Sequence, residues 1–360
     1  MQRALQLAKL GAGAVSPNPM VGCVIVREGK IIGEGWHQKY GQAHAEVNAV
    51  NSVINKSLLA ESEVYVTLEP CSHFGKTPPC ADLLIKHQVK KVFVCNYDPN
   101  PLVAGQGIEK LRQAGIEVEI GLLAEEGREL NKRFFTYIEK KRPYIFLKWA
   151  ESADGFIAKK NYEAVQISNL LSRRFVHKMR SEEDAIMVGT NTVRHDNPKL
   201  NTRFWTGKNA VRVLIDKDLT LPEASHIFDG SQETICYTTV NRSSTSLSVP
   251  TVARSSTSSS IPVIVDENTN HERVLEVLLR ATGTENSILQ DLYQRKIQSI
   301  IIEGGTLLLQ SFIDLGLWDE AFILKSKLIL DNGIEAPKIG GIEILREKLG
   351  DNLFVKQKPT

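Results

Sequence analysis

The sequence predicts a protein of two α/β domains. Three observations carry that prediction: its length, an alternation of β-branched apolar runs with amphipathic stretches, and one break in the alternation at a proline. The chain has 360 residues, where a single domain averages about 150. Strand-like and helix-like segments alternating in this way specify layered α/β units with mostly parallel sheets. The break falls in EEGRELNKRFFTYIEKKRP, which reads as one closing helix stopped before Pro143. Domains are therefore expected over 1–143 and 144–360.

In the first domain, GCVIVREGKIIGEGWH reads as two strands joined at Glu28-Gly29-Lys30. HAEVNAVNSVI follows with helical spacing, which puts Ala45, Ala49 and Val53 on one face. VYVTL (strand), a Pro- and Gly-rich loop, ADLLIKHQ (helix), KVFVCN (strand), GIEKLRQAG (helix) and VEIGLL (strand) complete it. The second domain restarts with YIFLKWAES as a strand. It continues through a helix over SNLLSRRFVHKMR and strands over DAIMVG, VRVLIDK, ETICYTT and PVIVD. A helix over ERVLEVLLRAT, the strand SIIIEGG, the helix TLLLQSFIDLG and the strand EAFILKSKLIL close it. Residues 241–260 hold 12 Ser or Thr. Such a stretch buries too little apolar surface to offset its ordering entropy and reads as a loop within the second domain.

Composition excludes several classes. The chain is 42% hydrophobic and 24% charged, with a net charge of +2. That is globular usage, and it gives no field that would hold a polyanion, so nucleic acid is not an expected partner. No apolar run reaches the ~18 residues of a membrane span, and no membrane association is expected. MQRALQLAKLGAGAV reads as a first helix rather than a signal peptide. Met1 falls inside that helical pattern, so the chain is expected to begin a few residues late. The five cysteines, Cys23, Cys71, Cys80, Cys95 and Cys236, are too sparse and odd in number for a disulfide framework. A reducing cytoplasm is the expected location.

Chemistry concentrates in His44-Ala45-Glu46, Glu69-Pro70-Cys71 and Cys80. One imidazole and two thiolates make three zinc ligands, and three ligands with an open position characterise catalytic zinc. The open position holds water, whose pKa zinc lowers to roughly 7. Glu46, two residues from His44, does not share its helical face and is not a fourth ligand. Beside zinc-bound water it would relay protons as the catalytic acid–base. Both cysteines are expected at or near helix N-termini, where the dipole favours thiolates. A closed structural site with His73 as fourth ligand stays open on these residues alone. H-x-E followed by P-C is the zinc-deaminase signature, although eight residues, SHFGKTPP, separate Cys71 from Cys80 instead of two. Cys23 and Cys95 lie in apolar strands and read as core.

PNPMVGCVIV, HAEVNAV, VTLEPCSHFGKTPPC and DPNPLVAGQG resemble the deaminase half of the bifunctional riboflavin-biosynthesis deaminase–reductases, in which the longer cysteine spacing is usual. The resemblance implies a cytidine-deaminase-like three-layer domain with one Zn2+, acting on a phosphorylated pyrimidine, 2,5-diamino-6-ribosylamino-4(3H)-pyrimidinone 5′-phosphate. It implies that Asn18 meets the ring, His73 and Lys76 the 5′-phosphate, and Asp98 and Asn100 the ribose or ring. Read without it, these are ordinary loop residues, since Asn and Asp beside Pro are common in turns. His37, near the end of its strand, is a weaker candidate.

The second half has no G-x-G-x-x-G fingerprint. It does have SIIIEGG running into a helix, whose N-terminus offers free N–H groups to a phosphate. LKWAESADGFIA, SRRFVHKMRSEEDAIMVGTNTVRHDNPKLNTR, VRVLID and IIEGGTLLLQSFIDLGLWDE resemble the reductase half of the same family. The resemblance covers nearly the whole chain. It implies a dihydrofolate-reductase-like α/β domain using NADPH to reduce the ribosyl group to ribityl. It places Ala150, Thr192, Asp196, Gly305, Thr306, Leu307, Leu308, Leu309, Gln310 and Ser311 at the cofactor, and Lys148, Leu200, Arg203 and Glu303 at the substrate. A homo-oligomer is the expected state. Two departures stand out: Ser152-Ala153-Asp154-Gly155 replaces S-L-D-G, and Gln166 stands where a Trp is usual. The missing aromatic predicts weaker cofactor stacking. The rival readings are a deaminase with an impaired reductase half, an RNA base-editing deaminase, and a zinc-stabilised scaffold without chemistry.

Overall fold

The computed structural model describes residues 1–72, 78–101, 103–238, 258–262 (backbone only) and 287–360. It divides into two compact units, Met1–Lys141 and Arg142–Thr360.

In the first unit, α1 (Gln2–Ala8) precedes a hairpin of β1 (Gly22–Arg27) and β2 (Lys30–Trp36). The hairpin turn has Glu28 at φ 50° and Gly29 at φ 73°, the left-handed pair that a two-residue β-turn needs. Then come α2 (Ala45–Ser52), β3 (Glu63–Val66), α3 (Cys80–Lys86), β4 (Lys91–Val94), α4 (Gln106–Gln113), β5 (Glu117–Ile120), α5 (Ala124–Leu130) and α6 (Lys132–Lys140). The sheet order is β2-β1-β3-β4-β5. Only β3-β4 and β4-β5 are parallel. β1 runs antiparallel to both its neighbours, so this sheet is mixed rather than mostly parallel.

The period-2 pattern of the strands sorts the layers. Cys23 and Ile25 face a core that holds Ala45, Ala49 and Val50 of α2, Ala81 and Leu84 of α3, and Ile108 and Leu111 of α4. Val24 faces Ala4 and Leu7 of α1 on the other side. Helix, sheet and helix form the three layers. Gly35 permits the closest approach: a Cβ there would lie 2.3 Å from the backbone nitrogen of Ala49. The expected single closing helix is two, broken at Asn131, whose side chain accepts from Met20 N at 2.8 Å and donates to Met20 O at 2.9 Å. That tertiary tie redirects the chain where local helical propensity would have continued it.

The second unit has a nine-stranded sheet. Its strands are β6 (Tyr144–Glu151), β8 (Ala185–Gly189), β9 (Val211–Ile215), β10 (Thr234–Thr238), β11 (Ser258–Pro262), β12 (Ser299–Ile302), β13 (Glu320–Lys325), β15 (Ile342–Leu349) and β16 (Asn352–Lys358). The order is β11-β10-β9-β8-β12-β6-β13-β16-β15. The seven strands from β11 to β13 are parallel, and β16 and β15 add antiparallel. A ribbon of β7 (Phe156–Ala158) with β14 (Ile334–Glu335) stands apart. Ile145, Leu147 and Trp149 face α9 (Ile288–Gln294) and α10 (Thr306–Asp314). Phe146, Ile186 and Leu214 face α7 (Leu170–Glu182) and α8 (Thr190–Asp196). Both faces are thus buried, as a parallel sheet requires.

Several local expectations are corrected. The strand over EAFILKSKLIL ends at Lys325, and Ser258–Ser260, placed in the loop by composition, pair with β10 as an edge strand. Main-chain pairing tolerates serine where a core position would not. The hairpin of β15 and β16 carries little strand signal, because the first seven residues of β15 are all exposed and no buried face imposes an alternating pattern on them. The expected strand PVIVD beyond Pro262, the helix over ERVLEVLLRAT, and residues 239–257 lie outside the described residues.

Candidate active sites

His44 is the N-cap of α2, in an extended conformation, and its side chain does not cap the helix. Cys80 is the first residue of α3, and Cys71 lies in the loop after β3. The Cys71 sulfur nevertheless meets a helix N-terminus, because the backbone N–H of Cys80 donates to it at 3.3 Å. His44 Nδ1 lies 3.5 Å from Cys71 Sγ and 3.4 Å from Cys80 Sγ. A tetrahedral zinc with bonds of ~2.3 Å to sulfur and ~2.1 Å to nitrogen requires sulfur–nitrogen separations of roughly 3.5 Å. The donor set therefore fits zinc in chemistry and in spacing, and His44, Cys71 and Cys80 form a cluster that can hold a metal ion.

The electrostatics agree. Cys71 is drawn down towards the thiolate by the Cys80 hydrogen bond and by His44. Cys80 is pushed up as the partner that donates to Cys71 and by its burial. Glu46, in the first turn of α2, is buried, and burial followed by the nearby Cys71 charge raises its carboxyl to about 7. A carboxyl balanced near neutrality both takes and gives protons.

Glu69, in sequence only a neighbour of the Pro-Cys pair, fixes the loop. Its buried carboxylate accepts from the backbone N–H groups of Asp98 (3.3 Å), Gly105 (3.0 Å) and Gly107 (3.0 Å). Asp98 in turn accepts from Asn100 N at 2.8 Å, the turn role that its place beside a proline suggests. Asn18 Nδ2 lies 3.1 Å from His37 Nε2, and the rings of His37 and His44 are 5.7 Å apart. His73 and Lys76 lie outside the described residues.

In the second unit a cavity of about 800 Å³ opens at the carboxyl ends of β6, β8, β9 and β12, where open α/β sheets bind ligands. Ala150, Thr192, Asp196 and Gly305 to Leu309 line it, as do Lys148, Leu200 and Glu303. Gly304 has φ 119°, a conformation that favours glycine, and delivers the chain into α10. Three of the residues inferred from resemblance are not among the lining. Gln310 binds Asp314 and the backbone of Lys338, and the Ser311 hydroxyl donates to Leu307 O within its own helix. Arg203 lies over the Phe204 ring and donates to Asn201 Oδ1 at 2.9 Å.

Sequence reasoning missed Arg180. It grips Glu303 with two hydrogen bonds, of 2.7 and 2.6 Å, while Lys148 Nζ stands 3.5 Å from the same carboxylate. Burial opposes ionisation of Glu303, but Arg180 and then Lys148 outweigh it and hold the carboxyl at about 2. Burial lowers the Lys148 ammonium, and Glu303 opposes that shift. Two cations on one carboxylate leave a positive cavity floor. Tyr162 was also missed. Its ring stacks on His195 at 3.5 Å with an interplanar angle of 4°, and both line the cavity with Gln166. An aromatic surface thus exists on the wall where the sequence lacks the expected Trp. No sequence signal marks either residue: one is a further cation on a helix, the other a tyrosine in a loop.

Fold and site together define a zinc-deaminase domain followed by a dihydrofolate-reductase-like domain. Residues 1–96 match the cytidine and deoxycytidylate deaminase zinc-binding region, and residues 143–330 match the RibD C-terminal domain. The chain is 39% identical over 350 residues to the riboflavin biosynthesis protein RibD of Aquifex aeolicus, covering 97% of this chain and 92% of that one. It is 35% identical to RibD of Escherichia coli over 96% and 92% of the two chains. A crystal structure from Thermotoga maritima, described as a diaminohydroxyphosphoribosylaminopyrimidine deaminase/5-amino-6-(5-phosphoribosylamino)uracil reductase, superposes with a TM-score of 0.84 at 34% identity, covering 100% and 97%. Acinetobacter baumannii RibD gives 0.84 at 32%, with the same coverage. The chain belongs to the RibD family of bifunctional deaminase–reductases of riboflavin biosynthesis. Among the described residues no helix is long and apolar enough to cross a membrane.

Proposed function

We propose that the chain deaminates 2,5-diamino-6-ribosylamino-4(3H)-pyrimidinone 5′-phosphate and then reduces the ribosyl group with NADPH, giving 5-amino-6-(5-phospho-D-ribitylamino)uracil. The observation that carries this reading is the cluster of His44, Cys71 and Cys80, at zinc spacing, beside the buried Glu46.

His44, Cys71 and Cys80 would hold the zinc, which when bound supplies the Lewis acidity that makes water nucleophilic near neutral pH. Glu46 takes the proton released by the attacking water and passes it to a pyrimidine ring nitrogen. The carboxylate so regenerated takes the second proton from the new carbon-bound hydroxyl and gives it to the departing amine, so that the carbon–nitrogen bond breaks as ammonia leaves and a carbonyl remains. Asn18, steadied by His37, presents an amide to the pyrimidine edge. Asp98 and Asn100 lie on the loop that Glu69 anchors and border the ribose, and His73 and Lys76 take the phosphate.

In the second unit the nicotinamide cofactor supplies the hydride. Ala150, Thr192, Asp196 and Gly305 to Leu309 hold it, and Lys148, Leu200 and Glu303 hold the opened ribose. The positive floor made by Lys148 and Arg180 around Glu303 suits an anionic substrate. We place the enzyme in the cytoplasm as a homo-oligomer whose ligands are small phosphorylated pyrimidines.

The test supplies the diaminopyrimidine phosphate with and without NADPH and weighs the products. The deaminated ribosyl compound is expected without NADPH and the ribityl compound with it. Unchanged substrate in both reactions overturns the reading.

A further inference from the structure

We propose that Arg194, held by Asn191 and Thr220 on the cavity wall of the second unit, binds a phosphate on the 2′ position of the cofactor's adenosine ribose and thereby sets the preference for NADPH over NADH. This rests on the reading of that cavity as the dinucleotide site.

The cavity crosses the carboxyl edge of the sheet in the order β6, β12, β8, β9. Its floor at β6 and β12 carries Lys148 and Glu303, the reducing end under the proposed function. β9 lies three strand spacings away, ~14 Å at about 4.8 Å each. A dinucleotide with its nicotinamide at the first end directs its adenosine towards the second. Arg194 belongs to α8, which follows β8, and Thr220 belongs to the loop after β9. Both line the cavity.

Arg194 is fixed but not neutralised. Its Nη1 donates to Asn191 Oδ1 at 3.1 Å and its Nη2 to Thr220 Oγ1 at 2.9 Å, both uncharged acceptors. Among the described residues no carboxylate stands within ion-pair distance of it. Two of its five donors are used, which aims the planar fork and leaves the others for an anion.

The opposing candidate is Asp216, next in the chain after β9. A carboxylate at the end of a strand reads a ribose 2′-hydroxyl and repels a 2′-phosphate. Asp216 is committed elsewhere. It accepts from Thr220 N (3.1 Å), Thr220 Oγ1 (3.3 Å) and Leu221 N (3.0 Å), and so shapes the loop that presents Thr220 to Arg194. Lys217 and Asp218, the next two residues, also line the cavity and offset each other in formal charge. The guanidinium therefore sets the local preference.

The test titrates the full chain calorimetrically with adenosine 2′,5′-bisphosphate and with adenosine 5′-monophosphate, alongside NADPH and NADH oxidation with the deaminated intermediate. Wild type is expected to prefer the bisphosphate by at least about tenfold, the scale of one charge-assisted bidentate contact. Arg194→Gln should bring that ratio close to one with little change for the monophosphate, and Arg194→Lys should restore part of it. An undiminished ratio in Arg194→Gln overturns the assignment while leaving the dinucleotide site intact. Absence of binding and oxidation with every nucleotide in wild type overturns the dinucleotide site, and the assignment with it.

Discussion

The Asn18 amide is oriented by the His37 ring. His37 Nδ1 lies 3.0 Å from the carbonyl oxygen of Ala43, so that nitrogen carries the proton. Burial lowers the pKa of His37, with the Ala43 carbonyl opposing, which keeps the ring neutral and Nε2 an acceptor. Asn18 Nδ2 must then donate to Nε2 across 3.1 Å, which leaves the amide oxygen to face a hydrogen-bond donor. Among the described residues no donor reaches that oxygen.

Replacing the ring should therefore disturb substrate recognition without disturbing the metal. His37→Phe is expected to raise KM for the diaminopyrimidine about tenfold, the scale of one site hydrogen bond, with zinc content unchanged. An unaltered KM would remove the orienting role.

Glu46 and Cys80 should separate chemistry from metal binding. Glu46→Gln keeps the buried shape and is expected to lower deaminase kcat by at least 10²–10⁴-fold, the usual contribution of a general acid–base, while atomic absorption still finds about one zinc per chain. Cys80→Ser is expected to lose the zinc itself. Equal zinc loss in both variants would make Glu46 part of the metal shell.

Tyr162 offers a test of the missing tryptophan. Tyr162→Ala removes the ring stacked on His195 and is expected to weaken NADPH binding roughly 2- to 10-fold, in keeping with the ~0.5–1.5 kcal/mol of an aromatic pair. Fluorescence titration measures it, and unchanged affinity would show that the platform does not touch the cofactor.

Glu303 predicts an acid-sensitive second unit. Its folded pKa of about 2 lies below the ordinary 4.5. A depressed carboxyl stabilises fully above its unfolded pKa and loses that contribution as pH falls through the folded value, so the window runs from about 4.5 down to about 2. A depression of that size corresponds to roughly 3–3.5 kcal/mol as an upper bound. Glu303→Gln strands two half-buried cations and should cost up to roughly 3–5 kcal/mol at neutral pH. Urea unfolding should show the gap between wild type and variant narrowing across that window, and a constant gap would contradict the linkage.

The sequence determined by itself what is local and chemical. Short apolar runs rich in β-branched residues placed the core strands of both units, because a strand covered on both faces must bury side chains of either parity, as Cys23 and Val24 do on opposite faces. His44, Cys71, Cys80 and Glu46 were legible because metal chemistry permits few residue types, and their motif survives a long insertion. Tertiary structure decided the rest. Asn131 broke a helix that propensity would have continued, through bonds to Met20, 111 residues away. Arg180 reached Glu303 across 123 residues, Tyr162 found His195, and Gln310 turned from the cavity to Lys338. A side chain's partner in such pairs is fixed by how strands and helices pack, and neither spacing nor composition encodes that distance along the chain.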